Sequence, residues 1–400
     1  MKIDQNRITH LTEYVQGLRN KENGKELYLK YKDDIEKVTP QEVFEIFHLQ
    51  LQKGIEPKEI LIFLDKVINI FYKSLMGYPW KRPEKNGFMD YLIQENHAMT
   101  YKLDNIKEII KKNDFQEKKK ELTPRIRELL KFNHHYLKKE NILFPYLEKK
   151  MEKFDGLTIM WALHDEARLR LKKVIEYLDF EDSTEEEINI ALGALFFAMY
   201  GLAQKEELIL FPAASEIIED KEWLEMQIQS LEYEFPFVEK PEQRIDRMNN
   251  NEDIHDVISD FKEGYLFKTD TGTLDFEQIQ MIFNALPVDM SFVDENNKLK
   301  FFTRPKDRIF PRSPAAIGRD VKNCHPPESV HVVHEIIDSF RSGEKDTATF
   351  WIKVKGKMVL IQYFALRDLS GKYRGTLEVS QDITQIRSLE GERRLLSWEE

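Results

Sequence analysis

A chain of 400 residues with 41% hydrophobic and 33% charged side chains is too long for one ordinary core and predicts two or three folded domains with solvated surfaces. A formal net charge of −11, with Lys and Arg scattered among Asp and Glu, argues against nucleic acid or an anionic membrane as the main partner, since both need a concentrated basic face. The single cysteine, Cys324, excludes an intramolecular disulfide. The start Met1-Lys2-Ile3-Asp4 has no signal-peptide core and no uninterrupted apolar run reaches membrane-spanning length, so a reducing, cytoplasmic setting without membrane is expected.

Apolar residues at helical spacing begin with Ile8, Leu11, Tyr14, Val15 and Leu18. A second helix is expected after Thr39-Pro40, with Thr as N-cap and Pro as first helical residue, and a third from Pro57 through Phe71. Together they predict a small helical domain over residues 1–77, in which His10 and His48 read as ordinary histidines. The Gly- and Pro-bearing stretch Met76 to Pro83 reads as a linker. Four longer helical segments follow, at about 87–113, 121–152, 157–179 and 184–219, forming a bundle over 84–225. Residues 226–273, with Pro236, Pro241 and Asn249 to Asn251, read as a second linker.

From 274 to 400 the pattern changes to a mixed α/β module. A helix from Leu274 to Leu286 precedes a strand at Val288 to Asp294, and the run Glu295-Asn296-Asn297 reads as a turn. Strands are then expected at 346–355, 357–367 and 375–383, with a helix at Glu328 to Ser342 before them. The expected product is a five-stranded antiparallel sheet with helices on one face. A last helix is expected from Ile386 to Trp398.

The most informative feature of the bundle is a repeat. Lys139-Glu140-Asn141-Ile142-Leu143-Phe144-Pro145 recurs as Glu206-Glu207-Leu208-Ile209-Leu210-Phe211-Pro212, and aligning the prolines matches Glu140 with Glu207. Two related helix pairs facing each other around a pseudo-twofold axis are implied. A carboxylate at the edge of an apolar core needs a counter-charge, which a metal supplies. His134 and His135 precede Glu140 on the same helix, and His164 is the histidine of the third helix. Imidazole and carboxylate from facing helices are the ligand types of carboxylate-bridged di-iron bundles. The alternative is a set of salt bridges on Lys-rich helices.

The Lys139-Glu140 and Leu143-Phe144-Pro145 element, its counterpart ending in Leu210-Phe211-Pro212, and His164-Asp165-Glu166 together resemble the hemerythrin-like HHE cation-binding domain. Ala285-Leu286-Pro287, Val293 to Asn297, Ile317-Gly318-Arg319 and Val379 to Thr384 resemble a PAS domain, with Asp382 or Thr384 as a cap. The whole order resembles a bacterial architecture in which a small helical domain of unknown function precedes the two. The fold class implied is multidomain: an all-α part, made of the small helical domain and an up-down four-helix hemerythrin-like bundle, followed by an α+β PAS domain. The resemblance implies iron, mono- or dinuclear, held by His135, Glu140, His164 and Glu207, with Asp90, Glu95, His97, His134 and Glu206 as further candidates. Leu202 stands where the family places a histidine, Asp90 and Gly87 stand near two more such positions, and Leu64 and Val67 replace a Cys and a His of the N-terminal domain.

Cys324 and His325 precede the helix at 328–342, and a helix N-terminus favours a thiolate. In a PAS pocket either residue could ligate haem, with His331 and His334 as further candidates; the alternative is a small apolar filler shaping a loop. The expected function is a regulatory sensor of a redox, gas (oxygen or nitric oxide) or metal signal, possessing a pocket for a small ligand and acting through a protein partner or self-association. A di-iron enzyme of oxidative or nitrosative stress repair and a metal-free scaffold are the alternatives.

Overall fold

Local capping sets where the helices begin. Asp4 accepts hydrogen bonds from the amides of Asn6 and Arg7 and opens α1, Gln5–Arg19; Asn23 does the same for α2, Gly24–Ile35. Thr39 and Glu42 form a reciprocal capping box, with Pro40 in the first turn, and open α3, Pro40–Gln52. α4 follows at Pro57–Met76. Helix α2 is absent from the sequence expectation because its buried residues Leu27, Tyr31 and Ile35 form a thin stripe among Lys, Glu and Asp.

The computed structural model describes residues 4–151, 153–241, 266–269, 271–306, 308–325, 327–354 and 356–391, and it divides into two compact units, Met1–Pro241 and Glu242–Glu400. The segment 1–77, expected as a domain of its own, shares the first unit with the bundle. Lys205 of the fourth bundle helix reaches Asp65 of α4 at 2.5 Å, and Gln52 of α3 donates to Asp155 at 2.6 Å. At Gly156 a side chain would strike the Phe44 ring, so glycine is required for this close approach.

The first bundle helix is α5, Phe88–Ile110. The second starts at Phe115, capped by Asp114, six residues before the expected start at 121. It runs as α6 (Phe115–Glu128), a 3-10 turn (Leu129–Phe132), α7 (Asn133–Lys138), a π turn (Lys139–Leu143) and α8 (Phe144–Lys150). The third is α9, Leu157–Asp179. The fourth runs as α10 (Glu185–Lys205), a π turn (Glu206–Leu210) and α11 (Phe211–Ile217). Both π turns lie just before a Phe-Pro pair. Proline has no N–H to donate and its ring crowds the carbonyl four residues back, so a widened turn before it relieves the helix. The sequence repeat is therefore a repeat of backbone shape.

Inside, Leu92, Met99, Leu103 and Ile106 of α5 join Leu122, Ile126, Val174, Leu192, Leu195, Met199 and Leu202, all buried. The stretch Glu185–Ile217 is long and apolar enough to cross a membrane by length and composition. It is the fourth bundle helix here, with Ile188, Leu192, Leu195, Met199 and Leu202 turned inward. α12, Asp220–Ser230, then packs Trp223 on Phe88, and Tyr233 and Phe235 beyond it are buried. The start of the expected linker at 226 is thus part of the folded unit.

In the second unit, β1 (Leu266–Thr269) and β2 (Gly272–Asp275) form a hairpin where linker was expected to reach 273. Asp275 and Gln278 make a capping box that opens α13, Phe276–Ala285. The sheet proper comprises β3 (Asp289–Asp294), β4 (Leu299–Phe302), β5 (Thr347–Val354), β6 (Lys357–Arg367) and β7 (Tyr373–Asp382) in the order β4-β3-β7-β6-β5, antiparallel throughout. Asp294 accepts from the amides of Asn296 and Lys298 and sets the β3–β4 turn, with Asn297 left-handed at φ 62. Helix α14, Pro327–Ser342, supplies Ile337 to a core with Val293, Leu299, Ala316 and Val321. Asp382 accepts from the Thr384 amide and hydroxyl, and Thr384 Oγ1 accepts from the Met358 amide, which closes the sheet. The helix expected from Ile386 is a 3-10 turn at Ile386–Ser388 that ends at Leu389, and residues 392–398 lie outside the described residues.

Candidate functional site

Three consecutive residues at the second helix's π turn, Lys138, Lys139 and Glu140, are at most 2% exposed. All three are turned into the bundle, where charged side chains are rarely found unless paired. His135, three residues before Lys138, lies on the same inward face and is fully buried. From the first helix come Glu95 and Asn96, from the third His164 and Arg168, and from the fourth Glu206.

His135 sits between two carboxylates, with Nδ1 2.8 Å from Glu95 Oε2 and Nε2 2.9 Å from Glu206 Oε2. The remaining oxygens of these acids are taken by ammonium groups: Lys138 Nζ donates to Glu95 Oε1 and Lys139 Nζ to Glu206 Oε1. Asn96 Nδ2 donates to Glu206 Oε2 at 3.0 Å. Glu140 accepts from Arg168 Nη2 at 2.9 Å and lies 2.8 Å from His164 Nδ1. Arg168 is in turn held by Asn133 at 2.8 Å and Asp165 at 3.0 Å. Phe132 stacks on His135, and Tyr136 and Phe144 stack on His164.

Burial sets the electrostatics. It pushes the His135 imidazole well below its ordinary value, and His164 down to about 3 with the help of Lys139, so both rings are uncharged near neutrality. Burial raises Glu95 to about 7 against the pull of Lys138, and lowers Lys138 in turn. Burial alone would raise Glu140, yet Arg168 and His164 overcome it and hold the carboxyl at about 2.

Of the residues expected to ligate metal, His135, Glu140, His164, Glu95 and Glu206 meet in this network. The others do not. Glu207 sits at the rim, half-exposed, 3.6 Å from the exposed His97. Asp90 accepts from the Asn86 amide and from Gln94, each at 2.7 Å, at the start of α5. His134 accepts from the Glu234 amide at 3.5 Å. Lys138, Lys139 and Arg168 were not anticipated as members. Only Lys139 carried a signal, in the repeat, where it aligns with Glu206 with opposite charge.

A di-metal centre does not fit these residues. Every oxygen of Glu95, Glu140 and Glu206 already faces a Lys, Arg, Asn or His partner. His164 Nε2 has no hydrogen-bond partner among the described residues and lies 3.9 Å from Glu206 Oε1, which Lys139 holds. Among the described residues no group of three or more His, Cys, Asp or Glu is arranged to hold a metal ion.

In the second unit, strand register puts Asp289, Ser380 and Ile361 in one row across the sheet and Ser291, Glu378 and Tyr363 in the next. Val293, two residues on from Ser291, belongs to the apolar core, so these rows share the core-facing side. Arg312 bonds Glu378 at 2.8 Å, and Arg308 pairs with Asp289 at 3.1 Å. Ser380, 1% exposed, has no hydrogen-bond partner for its hydroxyl among the described residues. Cys324 ends a 3-10 turn and its thiol donates to the Asp320 carbonyl at 3.6 Å. Burial, then Arg312 and Arg319, push His325 down to about 4. A haem needs a broad apolar slot, and the guanidinium of Arg312, ion-paired with Glu378, lies close enough to Cys324 and His325 to act on both instead. These residues do not fit a haem.

Residues 88–214 match the hemerythrin HHE cation binding domain and residues 279–384 match a PAS domain. Among solved structures, the chain is 30% identical to the C-terminal domain of a protein from Streptococcus mutans, over 32% of this chain and 98% of that one, with a TM-score of 0.30. It is 18% identical to the PAS domain of a protein from Colwellia psychrerythraea, over 27% and 97% of the two chains, with a TM-score of 0.23. It is 16% identical to the PAS domain from Bordetella pertussis BvgS, over 28% and 87%, with a TM-score of 0.21. No curated protein matches the chain. The chain thus carries a hemerythrin HHE domain and a C-terminal PAS domain, a pairing that points to a sensor or regulatory role.

Proposed function

We propose that this chain is a cytoplasmic regulatory sensor in which the PAS interior takes up a small polar ligand and alters a contact with a protein partner or a second copy of the chain. The observation that carries this reading is the polar inner face of the sheet. Asp289, Ser291, Glu378, Ser380 and Tyr363 line two adjacent rows where an apolar core would place aliphatic side chains. The Ser380 hydroxyl is buried without a hydrogen bond among the described residues, a cost that a ligand able to bond it removes. The mixture of carboxylate, guanidinium and hydroxyl suits a ligand that both donates and accepts hydrogen bonds.

Calorimetric titration of the full chain with a panel of amino acids and small carboxylic acids tests this. Saturable heat that Ser380→Ala weakens and Arg312→Met abolishes supports the reading; absence of heat across the panel, with an unchanged elution volume, counts against it. A redox, gas or metal signal received by the bundle, or di-iron enzymology there, requires an exchangeable iron, and the lysine-filled network weighs against both. Haem uptake is tested by adding haemin to wild type and Cys324→Ala. A Soret band lost in the variant would support it.

A further inference from the structure

Residues 88–214 match a cation-binding family, yet the buried acids of the bundle are satisfied from within the chain. Three carboxylates, Glu95, Glu140 and Glu206, meet three basic side chains, Lys138, Lys139 and Arg168, with the pairs Lys138–Glu95, Lys139–Glu206 and Arg168–Glu140. Three acids matched one to one by three bases leave no net charge to recruit a cation, and burial, which holds the Lys139 amine well below its ordinary value, disfavours any unpaired charge there. A divalent cation added to the cluster would leave two positive charges in a region closed to water, and a proton gained by Glu95 would make the excess larger. Two further contacts mark the places of the ammonium groups. Lys138 Nζ lies 3.8 Å from the centroid of the buried Phe235 ring, and Lys139 Nζ lies 5.1 Å from that of Tyr136. Aromatic faces attract an ammonium, so these contacts favour the inward positions of both lysine side chains.

We infer that the hemerythrin-like bundle is a metal-independent fold in which the ammonium groups of Lys138 and Lys139 replace two metal ions as the counter-charges of Glu95 and Glu206. The replacement is covalent to the chain, so the charge cannot dissociate or be chelated. Removing both lysines exposes a latent site of two imidazoles and the carboxylates of Glu95 and Glu206, the donor types that bind first-row divalent metals. This inference concerns the bundle alone and stands or falls independently of the PAS ligand.

The test uses the full chain and cobalt(II), whose visible absorption reports coordination by nitrogen and oxygen. Wild type, expressed with added iron, is expected to contain less than about 0.1 metal per chain and to melt at the same temperature with and without EDTA. Folded Lys138→Ala/Lys139→Ala is expected to bind about one cobalt or more per chain and to gain thermal stability from it. One or more metal ions per wild-type chain, lost in Glu206→Gln, overturn the inference. So does a folded double variant that takes up no cobalt. If the double variant fails to fold, Lys139→Met, which preserves length and bulk, is titrated instead, and the wild-type metal content decides the first half by itself.

Discussion

The two interiors of this molecule bury charge in opposite ways. In the bundle, every oxygen of Glu95, Glu140 and Glu206 has a partner, and aromatic rings press on both imidazoles and both ammonium groups. In the PAS interior, Arg312–Glu378 and Arg308–Asp289 are paired, yet the Ser380 hydroxyl between them is left without a hydrogen bond among the described residues. The edge strand β5 beside them leaves Phe350 40% and Ile352 41% exposed. In the bundle the acids are closed and the atoms without a hydrogen bond among the described residues are His164 Nε2, Asn96 Oδ1 and the Tyr136 hydroxyl, whereas in the PAS interior the open hydroxyl sits among the ion pairs themselves.

The largest way to break this contrast is Glu206→Leu. It strands the Lys139 ammonium and should cost about 3–5 kcal/mol in urea unfolding of the first unit, the usual price of an uncompensated buried charge. Pairing it with Lys139→Met should recover most of that loss, since an apolar pair of similar volume replaces the ion pair. A double variant no better than Glu206→Leu would show that the network is held by something other than charge balance.

Acid is the next perturbation. His135 and His164 resist protonation when folded, so the unfolded chain binds protons first and stability falls as pH drops below the ordinary imidazole value. Glu95 acts in the opposite sense, since its folded carboxyl at about 7 takes a proton before the unfolded one does. Two imidazoles against one carboxyl leave about one net proton, a loss of about 1.4 kcal/mol per pH unit between roughly pH 6 and 4.5. Below the ordinary carboxylate range the Glu95 contribution ends, while Glu140, held at about 2, begins to cost stability, so the slope should steepen. A flat profile for the first unit from pH 6.5 to 4 would remove the buried neutral imidazoles from the account.

Arg312→Met probes the other side of the comparison. It leaves the mostly buried Glu378 without its guanidinium and should destabilise the second unit by about 2–3 kcal/mol, read from its own unfolding transition. Arg312→Met/Glu378→Leu should restore stability and still fail to bind ligand, which separates packing from recognition. The smallest effect is expected from Lys205→Met, about 1 kcal/mol, because its partner Asp65 is one-third exposed and screened by water. Its sharper readout is faster amide exchange in α4 with the bundle helices unchanged.

Much of this architecture is legible in the residues. Thr39-Pro40 and the apolar spacing that follows place α3, and the β6 and β7 alternation places the sheet. The Leu-Phe-Pro repeat gives the bundle its pseudo-symmetry. The hairpin Leu266–Asp275 was lost inside a polar stretch because four-residue strands leave little alternation to read. The network was half legible. The repeat aligns Glu140 with Glu207 correctly, but what covers each differs: Arg168 and His164 close over Glu140, whereas His97, 68% exposed, is what Glu207 meets. Lys138 and Lys139 escaped notice because lysine in a charged helix reads as solvated, and nothing in their spacing marks them as turned inward.

The tie between Lys139 and Glu206 carries a consequence for how the chain assembles. The two residues occupy equivalent positions of the repeat, so the contact forms only between unlike halves. Exchanging helix pairs between two copies in a like-with-like arrangement would set lysine against lysine and glutamate against glutamate in a dry interior. A backbone that is nearly symmetric is therefore addressed like a lock with one key. The order of its halves is written in charge, since a like-with-like pairing would bury unpaired charge that the native pairing does not.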